Sequence, residues 1–527
     1  MANRSERPGN KLKNFAQAQL PSPSNLDMQK SGPWILAATI LGSGMVFIDT
    51  SAVNVALPRL QTDLNASATN VQWVVVAYVL FLAALMLVGG SLGDRFGRKR
   101  IFASGVILFA LASMWCGLSP NMSQLIAARA VQGVGGALLT PGSLAIIRAL
   151  FPAAQRGRAI GLWSGFAAIT SVLGPLLGGW LVQNASWRWV FFINLPLAIF
   201  VLGIIFWRVP ESRSEHRQAS LDWPGALLAT CSLGAIIYGL IESDNLGFGH
   251  PLVLGTLAGG LIALGAFVLV ELRISAPMMP LKLFRSRTFT GTNLLTLLLY
   301  TALGGNVFFL PFNLIRVQGY SPTAAGASFL PFTLLLFLLS RWAGGLVNRY
   351  GAKLPLVAGP LIVAIGFIIL SLQGIGGSYW TTFFPAIVAL GVGMAITIAP
   401  LTVTVLGTVD DRYAGVASGI NNAVTRVAGL LAIAVLSIFV VHAFNNSLNS
   451  YLGALHVAPT VRQMLDAQRN KLAGADVPPE VHGHLRKVLD RAIAESFVAG
   501  YRLAMLISAG LALLSALCSL LLIEGKS

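Results

Sequence analysis

The feature that most constrains this chain is the recurrence of apolar stretches of about 20 residues or more, each able to cross ~30 Å of hydrocarbon as a helix. Fourteen can be laid out, at 34–57, 72–92, 101–119, 124–147, 158–182, 188–207, 223–241, 252–271, 289–313, 324–346, 354–373, 380–406, 414–441 and 498–523. Gly and Pro interrupt some of them, as at Pro311 and Pro331; spans within a bundle tolerate this because neighbours satisfy the freed backbone groups. Only 10% of the 527 residues are charged, against about a quarter in an ordinary soluble domain. A soluble chain this apolar would expose patches far larger than monomers tolerate. The expected fold class is an all-α membrane protein.

The 36 Lys+Arg outnumber the 19 Asp+Glu, a net charge of +17, which in a soluble protein points to nucleic acid. Their placement says otherwise. Loops on one side hold Arg95, Arg98, Lys99 and Arg100, then Arg148, Arg156 and Arg158, then Arg208, Arg213 and Arg217. Further along that side come Arg273, Lys282, Arg285, Arg287, Arg349, Lys353 and Arg412, whereas the short loops opposite hold only Arg59, Arg188 and Arg316. The excess therefore records topology. It puts both termini in the cytoplasm, the chain in the cytoplasmic (inner) membrane in contact with the lipid bilayer, and no nucleic acid among its partners.

Residues 1–32 are polar, with Arg4, Arg7, Lys11, Lys13 and Lys30, and read as a disordered cytoplasmic tail rather than a signal peptide. The long outside loop, 442–497, reads as two amphipathic helices; Val481, Leu485, Val488, Leu489, Ile493 and Phe497 share one face. It could cap an outer cavity, dock a periplasmic adaptor protein, or simply extend the last span as a surface hairpin. Cys116, Cys231 and Cys518 fit neither a disulfide framework nor a metal spacing and read as buried small side chains.

An internal repeat is visible. Leu92-Gly93-Asp94-Arg95-Phe96-Gly97-Arg98-Lys99 returns as Leu346-Val347-Asn348-Arg349-Tyr350-Gly351-Ala352-Lys353, an offset of 349 − 95 = 254. Gly133-Val134-Gly135-Gly136-Ala137 returns as Gly391-Val392-Gly393-Met394-Ala395, an offset of 391 − 133 = 258. Copies in matching orientation are parallel repeats, as in the halves of a secondary transporter. The expected organisation is a six-helix bundle at 33–208, an inserted pair at 209–287, a second bundle at 288–523 and a short tail at 524–527.

Four stretches carry candidate chemistry. Gly90, Gly93, Asp94, Arg95, Gly97, Arg98 and Lys99 form a glycine-rich turn between spans 2 and 3. Asp94 ends span 2, where the helix dipole disfavours an anion, so it needs a cation or another helix's N-terminus; a charge-locked turn of this kind suits a cytoplasmic gate, while a plain topogenic loop would explain only the positive charges. Asp49 lies inside span 1, where an ionised carboxylate costs about 2.5–3.5 kcal/mol. It is a candidate to bind and release a proton, unless it is permanently paired or lies near the surface. Arg129 in span 4 cannot lose its charge and would tune a nearby carboxylate, hold a water path, or bond structurally to span ends. Gly174 and Gly178 make a small-xxx-small packing face broken by Pro175. Arg341 reads as snorkelling to the cytoplasmic face and Arg426 as a candidate contact between the halves.

Taken together, these stretches resemble the motifs of the major facilitator superfamily. The 90–100 turn resembles its motif A, with Gly93 where Ala is commoner; Arg129 to Ala137 resembles motif B; Gly165 with Gly174-Pro175-Leu176-Leu177-Gly178-Gly179 resembles the antiporter motif C. Asp49 to Pro58 resembles the first-span motif of the fourteen-span drug:proton antiporters. The resemblance implies the major facilitator fold, two six-helix bundles plus two inserted helices. It implies export of a lipophilic or amphipathic small molecule against protons, with Asp49 and Arg129 in the coupling. Export of a lipid or a specific metabolite is an alternative, a non-transporting scaffold or receptor a second. Asn54, Tyr78, Gln132, Asn306, Phe309 and Arg426 are expected to face the substrate cavity.

An enzyme is not expected. Gly89-Gly90-Ser91-Leu92-Gly93 matches a hydrolase elbow only formally, since it ends a span without a nearby histidine. Gly525-Lys526-Ser527 lacks the first glycine of a P-loop. No cofactor or metal is expected, and the energy source must be a gradient.

Overall fold

The computed structural model describes residues 23–212, 222–274, 277–409, 414–455 and 457–524. The helices are α1 (Pro23–Asp63), α2 (Ala68–Phe96), α3 (Arg98–Leu118), α4 (Met122–Leu150), α5 (Ala153–Asn184), α6 (Trp189–Phe192) and α7 (Asn194–Arg208). There follow α8 (Trp223–Leu246), α9 (Pro251–Arg273), α10 (Arg287–Phe312), α11 (Pro322–Ala327), α12 (Leu330–Tyr350) and α13 (Lys353–Ser371). The last are α14 (Tyr379–Thr382), α15 (Phe384–Gly407), α16 (Ala414–Ala454), α17 (Pro459–Asp466) and α18 (Gly483–Leu522). Among the described residues, thirteen helical segments are long and apolar enough to cross a membrane. The remaining apolar stretch coincides with α5, 32 residues long. The chain is a multi-pass membrane protein.

Two expectations change. Helix α1 starts at Pro23, within the segment read as a disordered tail; residues 1–22, with Arg4, Arg7, Lys11 and Lys13, lie outside the described residues, as do Arg213, Arg217 and Arg412. The 442–497 loop is for the most part a continuation of two spans. Phe444, Leu448 and Leu452 on α16 and Leu489, Ile493 and Phe497 on α18 are all buried at a spacing of four, and the two helices pack together. That apolar seam keeps both helical beyond the length a membrane needs. Leu485, expected on the apolar face, is exposed.

The repeat is visible in the backbone. Gly97 between α2 and α3 has φ 111° and Gly351 between α12 and α13 has φ 75°. Each donates its N–H to the residue four before it, Gly93 or Val347, at 3.0 and 2.9 Å. Both turns need a left-handed residue, which only glycine supplies without strain. The second copy matches as well. A Cβ on Gly133 would stand 2.4 Å from the Tyr78 carbonyl of α2, and one on Gly135 2.6 Å from Phe109 N of α3. In the other half Gly391 fits against Phe332 of α12 and Gly393 against Gly359 and Val363 of α13. In each half, paired glycines wedge one helix between the two that flank the turn.

Helices α1–α7 pack among themselves, as do α10–α16 with α18. Across the seam, α2 touches α16 and α5 touches α11. The inserted pair leans on this seam: α8 contacts α2 and α16, while α9 packs chiefly on α8 and is largely uncovered.

The ends of the molecule differ. At the end away from the chain termini the halves are knitted together. Arg316 donates to the Pro58 carbonyl at 3.0 Å, Gln61 to the Lys471 carbonyl at 3.0 Å, and Lys471 Nζ to Asn65 at 2.7 Å. There Gly179 admits the Pro322 backbone and Gly326 the Pro175 backbone, at distances that leave no room for a Cβ. Toward the terminal end α5 loses its neighbours: no atom stands within 4 Å of a Cβ placed on Gly165, and Phe166, Ile169 and Leu173 are exposed.

Candidate functional site

Four charged or polar side chains meet in the interior of the first half. Asp49 of α1 and Arg129 of α4 are 0% and 1% exposed and form an ion pair, Nη1 to Oδ2, at 2.6 Å. Gln132, one turn after Arg129, accepts from Arg129 Nη1 at 2.6 Å and donates to Asp49 Oδ1 at 2.9 Å. Asn194, the first residue of α7, donates to Asp49 Oδ1 at 3.4 Å and to Ser113 Oγ of α3 at 2.9 Å. Arg129 also donates through Nε to the Val74 carbonyl at 3.0 Å, and its guanidinium lies 4.1 Å from the Tyr78 ring centroid.

The physical reason for this density is desolvation. A lone carboxylate here is strongly unfavourable, and an ion pair becomes tolerable only when further hydrogen bonds fill the remaining lone pairs. Asp49 has three donors, so each of its oxygens is engaged. Arg129 pairs with the Asp49 carboxylate and also bonds to the Val74 backbone carbonyl. Asp49 is paired in this conformation and lies deep within the protein.

Ser113 and Asn194 were not among the sequence candidates. Uncharged polar residues inside apolar runs give no pattern of their own; the one available signal was an asparagine opening a helix beside Pro196. Cys116, read as a small buried side chain, is buried and donates weakly to Gln132 at 3.6 Å.

The residues expected to line the cavity are distributed differently. Gln132 and Tyr78 are fully buried within the Asp49 network, and Thr50 donates to the Tyr78 hydroxyl at 3.4 Å. Asn306 is buried and accepts from Tyr501 at 3.0 Å. Phe309 is buried near the knitted end, beside Phe308, Phe312, Gln61 and Leu472. Asn54 is buried and donates back to the Thr50 carbonyl at 3.1 Å. Only Arg426 is half-exposed. Sequence spacing places a residue on a helix but does not fix the helix's rotation, and these five neutral side chains face packed interior.

The glycine-rich turn is held by charge. Asp94 accepts from Arg98 Nε at 2.8 Å and Nη2 at 2.6 Å; Arg98 opens α3, so the partner is a cation at a helix N-terminus. Glu211, in the segment after α7, accepts from Lys99 N at 3.0 Å, and its carboxyl fills the space where a Gly97 side chain would stand. Gly93 is buried near Arg98, Gly90 lies against Pro141, and Arg95 is exposed over the Phe96 ring. In motif C, Gly174 and Gly178 let α5 close onto Ser51 and Ala52 of α1, while Pro175 and Gly179 take the contact with α11.

Two parallel helical repeats, joined at one end and carrying a buried acid–arginine pair in one of them, define a secondary transporter. Comparison with known proteins agrees. The Major Facilitator Superfamily model matches residues 39–433. The "Tetracenomycin C resistance and export protein" of Streptomyces glaucescens is 33% identical over 495 residues, covering 93% of this chain and 91% of that protein. The "Puromycin resistance protein pur8" of Streptomyces alboniger is 36% identical over 409 residues, 77% of this chain and 81% of the relative. Among solved structures, a bacterial homolog of the human lysosomal transporter Spinster superposes with TM-score 0.67 at 18% identity, covering 96% of this chain and 100% of that one. The chain belongs to the Major Facilitator Superfamily and is a transporter rather than an enzyme.

Proposed function

We propose that this protein is a proton-coupled exporter of lipophilic or amphipathic small molecules, working by alternating access. The observation that carries this reading is the Asp49–Arg129–Gln132–Asn194 network, buried inside one half next to the seam. With Asp49 ionised, its donors are matched. When it takes a proton, Arg129 loses its counter-charge inside the bundle and α1 and α4 lose their strongest tie. The Asn194 Oδ1 atom is buried without a hydrogen-bond partner among the described residues, and rotating that amide by half a turn presents it to the new O–H. Protonation thus changes which helices are held together, which is what coupling requires. One charge crossing ~100 mV yields about 2.3 kcal/mol, enough for a gradient of roughly fifty-fold.

The Lys and Arg distribution supports a cytoplasmic position for both termini in the cytoplasmic membrane. On that orientation the knitted end faces out and the parted α5 side faces in. The segment Arg469–Gly474 bridges both halves at the outer end, in keeping with a seal. The turn at Asp94 and Arg98 acts as the inner gate, and the Gly174–Gly179 face of α5 as the outer hinge. Relatives named for export and for resistance to tetracenomycin C and puromycin fit substrates of the proposed class.

The test is exchange in proteoliposomes, with trapped pyranine reporting protons and a panel of lipophilic dyes as substrates. Wild type should move protons against dye, and Asp49→Asn should abolish the response to a pH gradient. Exchange by Asp49→Asn at the wild-type rate would falsify proton coupling at this residue.

A further inference from the structure

Arg129 is matched with an acid, but Arg426 is not. It sits about three turns into α16, the helix that meets α2 across the seam. Among the described residues no carboxylate, hydrogen bond or ring contact is paired with it. The groups in electrostatic reach are two phenols, Tyr78 of α2 and Tyr300 of α10. One lies in each half, on helices that α16 meets, so Arg426 stands where the two halves come together. Tyr78 is itself stacked on Arg129, which leaves it between the two cations.

The surroundings are open. Asn422, Arg426 and Gly429 follow one another on one helix face at spacings of four and three. Asn422 is exposed, Arg426 half-exposed, and no atom lies within 4 Å of a Cβ placed on Gly429. Thr425 and Tyr300 beside it are also half-exposed. An unpaired arginine within a membrane bundle is costly and is kept where it faces a watered cavity or a partner. The bundle's own buried acid is already saturated by three donors, so it offers Arg426 nothing.

We propose that Arg426 is the substrate anchor, and that the exported compound is an amphipath bearing an acidic group, a carboxylate or acidic phenol, held by the guanidinium with the half-exposed Tyr300 beside it. This rests on the exporter reading and narrows its substrate class. The planar guanidinium suits bidentate pairing with a carboxylate, while the apolar body of the ligand lies along α10 and α16. Because Tyr78 touches both Arg129 and the anchor's field, an anion at Arg426 is sensed at the proton site without direct contact.

The experiment uses the full chain in maltoside with three matched probes, 1-pyrenebutyric acid, its methyl ester and the pyrenebutyl trimethylammonium ion, at pH 7.5. Binding is read by fluorescence anisotropy. A charge-assisted hydrogen bond contributes enough for wild type to prefer the acid over the ester by about tenfold or more. Arg426→Gln should erase that preference, bringing the acid-to-ester affinity ratio to about one; Arg426→Lys should retain part of it. Wild type binding acid and ester equally overturns the proposal and needs no variant to fold. So does an Arg426→Gln protein that melts normally and still prefers the acid. Displacement of bound acid by phosphatidylglycerol, but not phosphatidylcholine, assigns the anion site to lipid headgroups; no displacement by either assigns it to soluble acids. Transport in proteoliposomes separates the two layers. Acid preference without transport keeps the anchor and sinks the exporter; transport of the ester or cation without acid preference does the reverse.

Discussion

The two halves repeat one backbone design and fill it differently. At the offset of 258 that aligns the paired glycines, Arg129 corresponds to Ile387, since 129 + 258 = 387. Ile387 is buried in an apolar core. At the offset of 254, Asp94 corresponds to Asn348 and Arg98 to Ala352. Gly97, Gly133 and Gly135 have glycine counterparts in the second copy, and Arg95 and Lys99 return as Arg349 and Lys353, but Asp94, Arg98 and Arg129 return as neutral residues. Glycine positions are set by how closely helices approach, which both halves need to fold. Buried charge is not needed for folding, because the second half manages without it. Its presence in the first half fits the proposed coupling role, and the second half's half-exposed Arg426 fits the proposed anchor role.

That contrast can be broken most sharply by transplanting the second half's solution. Arg129→Ile alone leaves the Asp49 carboxylate buried without its cation and should cost about 3–5 kcal/mol, seen as a large drop in thermal unfolding temperature in detergent. The double variant Asp49→Leu with Arg129→Ile should recover most of that loss while remaining without proton-driven transport. A double variant as unstable as the single one would show that the network is structural.

A smaller effect tests the shared backbone. Gly133→Ala forces a Cβ to within 2.4 Å of a carbonyl oxygen, whereas at Gly391 the nearest atoms stand at 3.1 Å. Overpacking of the first kind costs about 1–3 kcal/mol, and Gly391→Ala should cost distinctly less. Unfolding temperatures of the two variants, measured side by side, decide it.

Glu211 gives a weaker handle, since a carboxylate at a helix N-terminus contributes about 0.3–1 kcal/mol when largely solvated. Glu211→Gln should lower the unfolding temperature slightly and raise modification of a cysteine placed at position 95. Weakest of all is Lys471→Ala at the knitted end. An exposed contact of that kind is worth about 1 kcal/mol at most, so stability should hardly change. Labelling of a cysteine at position 61 from the outer side should rise modestly if the Lys471 segment seals that end.

Much of the site was legible before the fold was known, for a definite reason. Asp49 and Arg129 stand out because charge inside an apolar run is costly wherever the helix points. Gly97 and Gly351 stand out because a turn between two spans leaves one residue to reverse the chain. What could not be read was rotation. Gln132 and Tyr78 look like cavity residues by chemistry, yet both point into the Asp49 network. Ser113 and Asn194 went unnoticed because one neutral polar side chain among apolar neighbours resembles any other until a partner faces it. Glu211 lies in a linker, where sequence offers no hint that it returns to cap α3.

The sequence by itself determined the multi-pass all-α class, the parallel repeat, the placement of the basic residues along the chain and the presence of charge in the first half. These depend on composition, order and local spacing. Tertiary structure alone decided that Asp49, Arg129, Gln132 and Asn194 form one network, that Leu472 and its neighbours join the halves at one end, and that Arg426 has no hydrogen-bond or ionic partner among the described residues. Each of those depends on which faces of separate helices meet, and that is settled only when five or six helices pack at once.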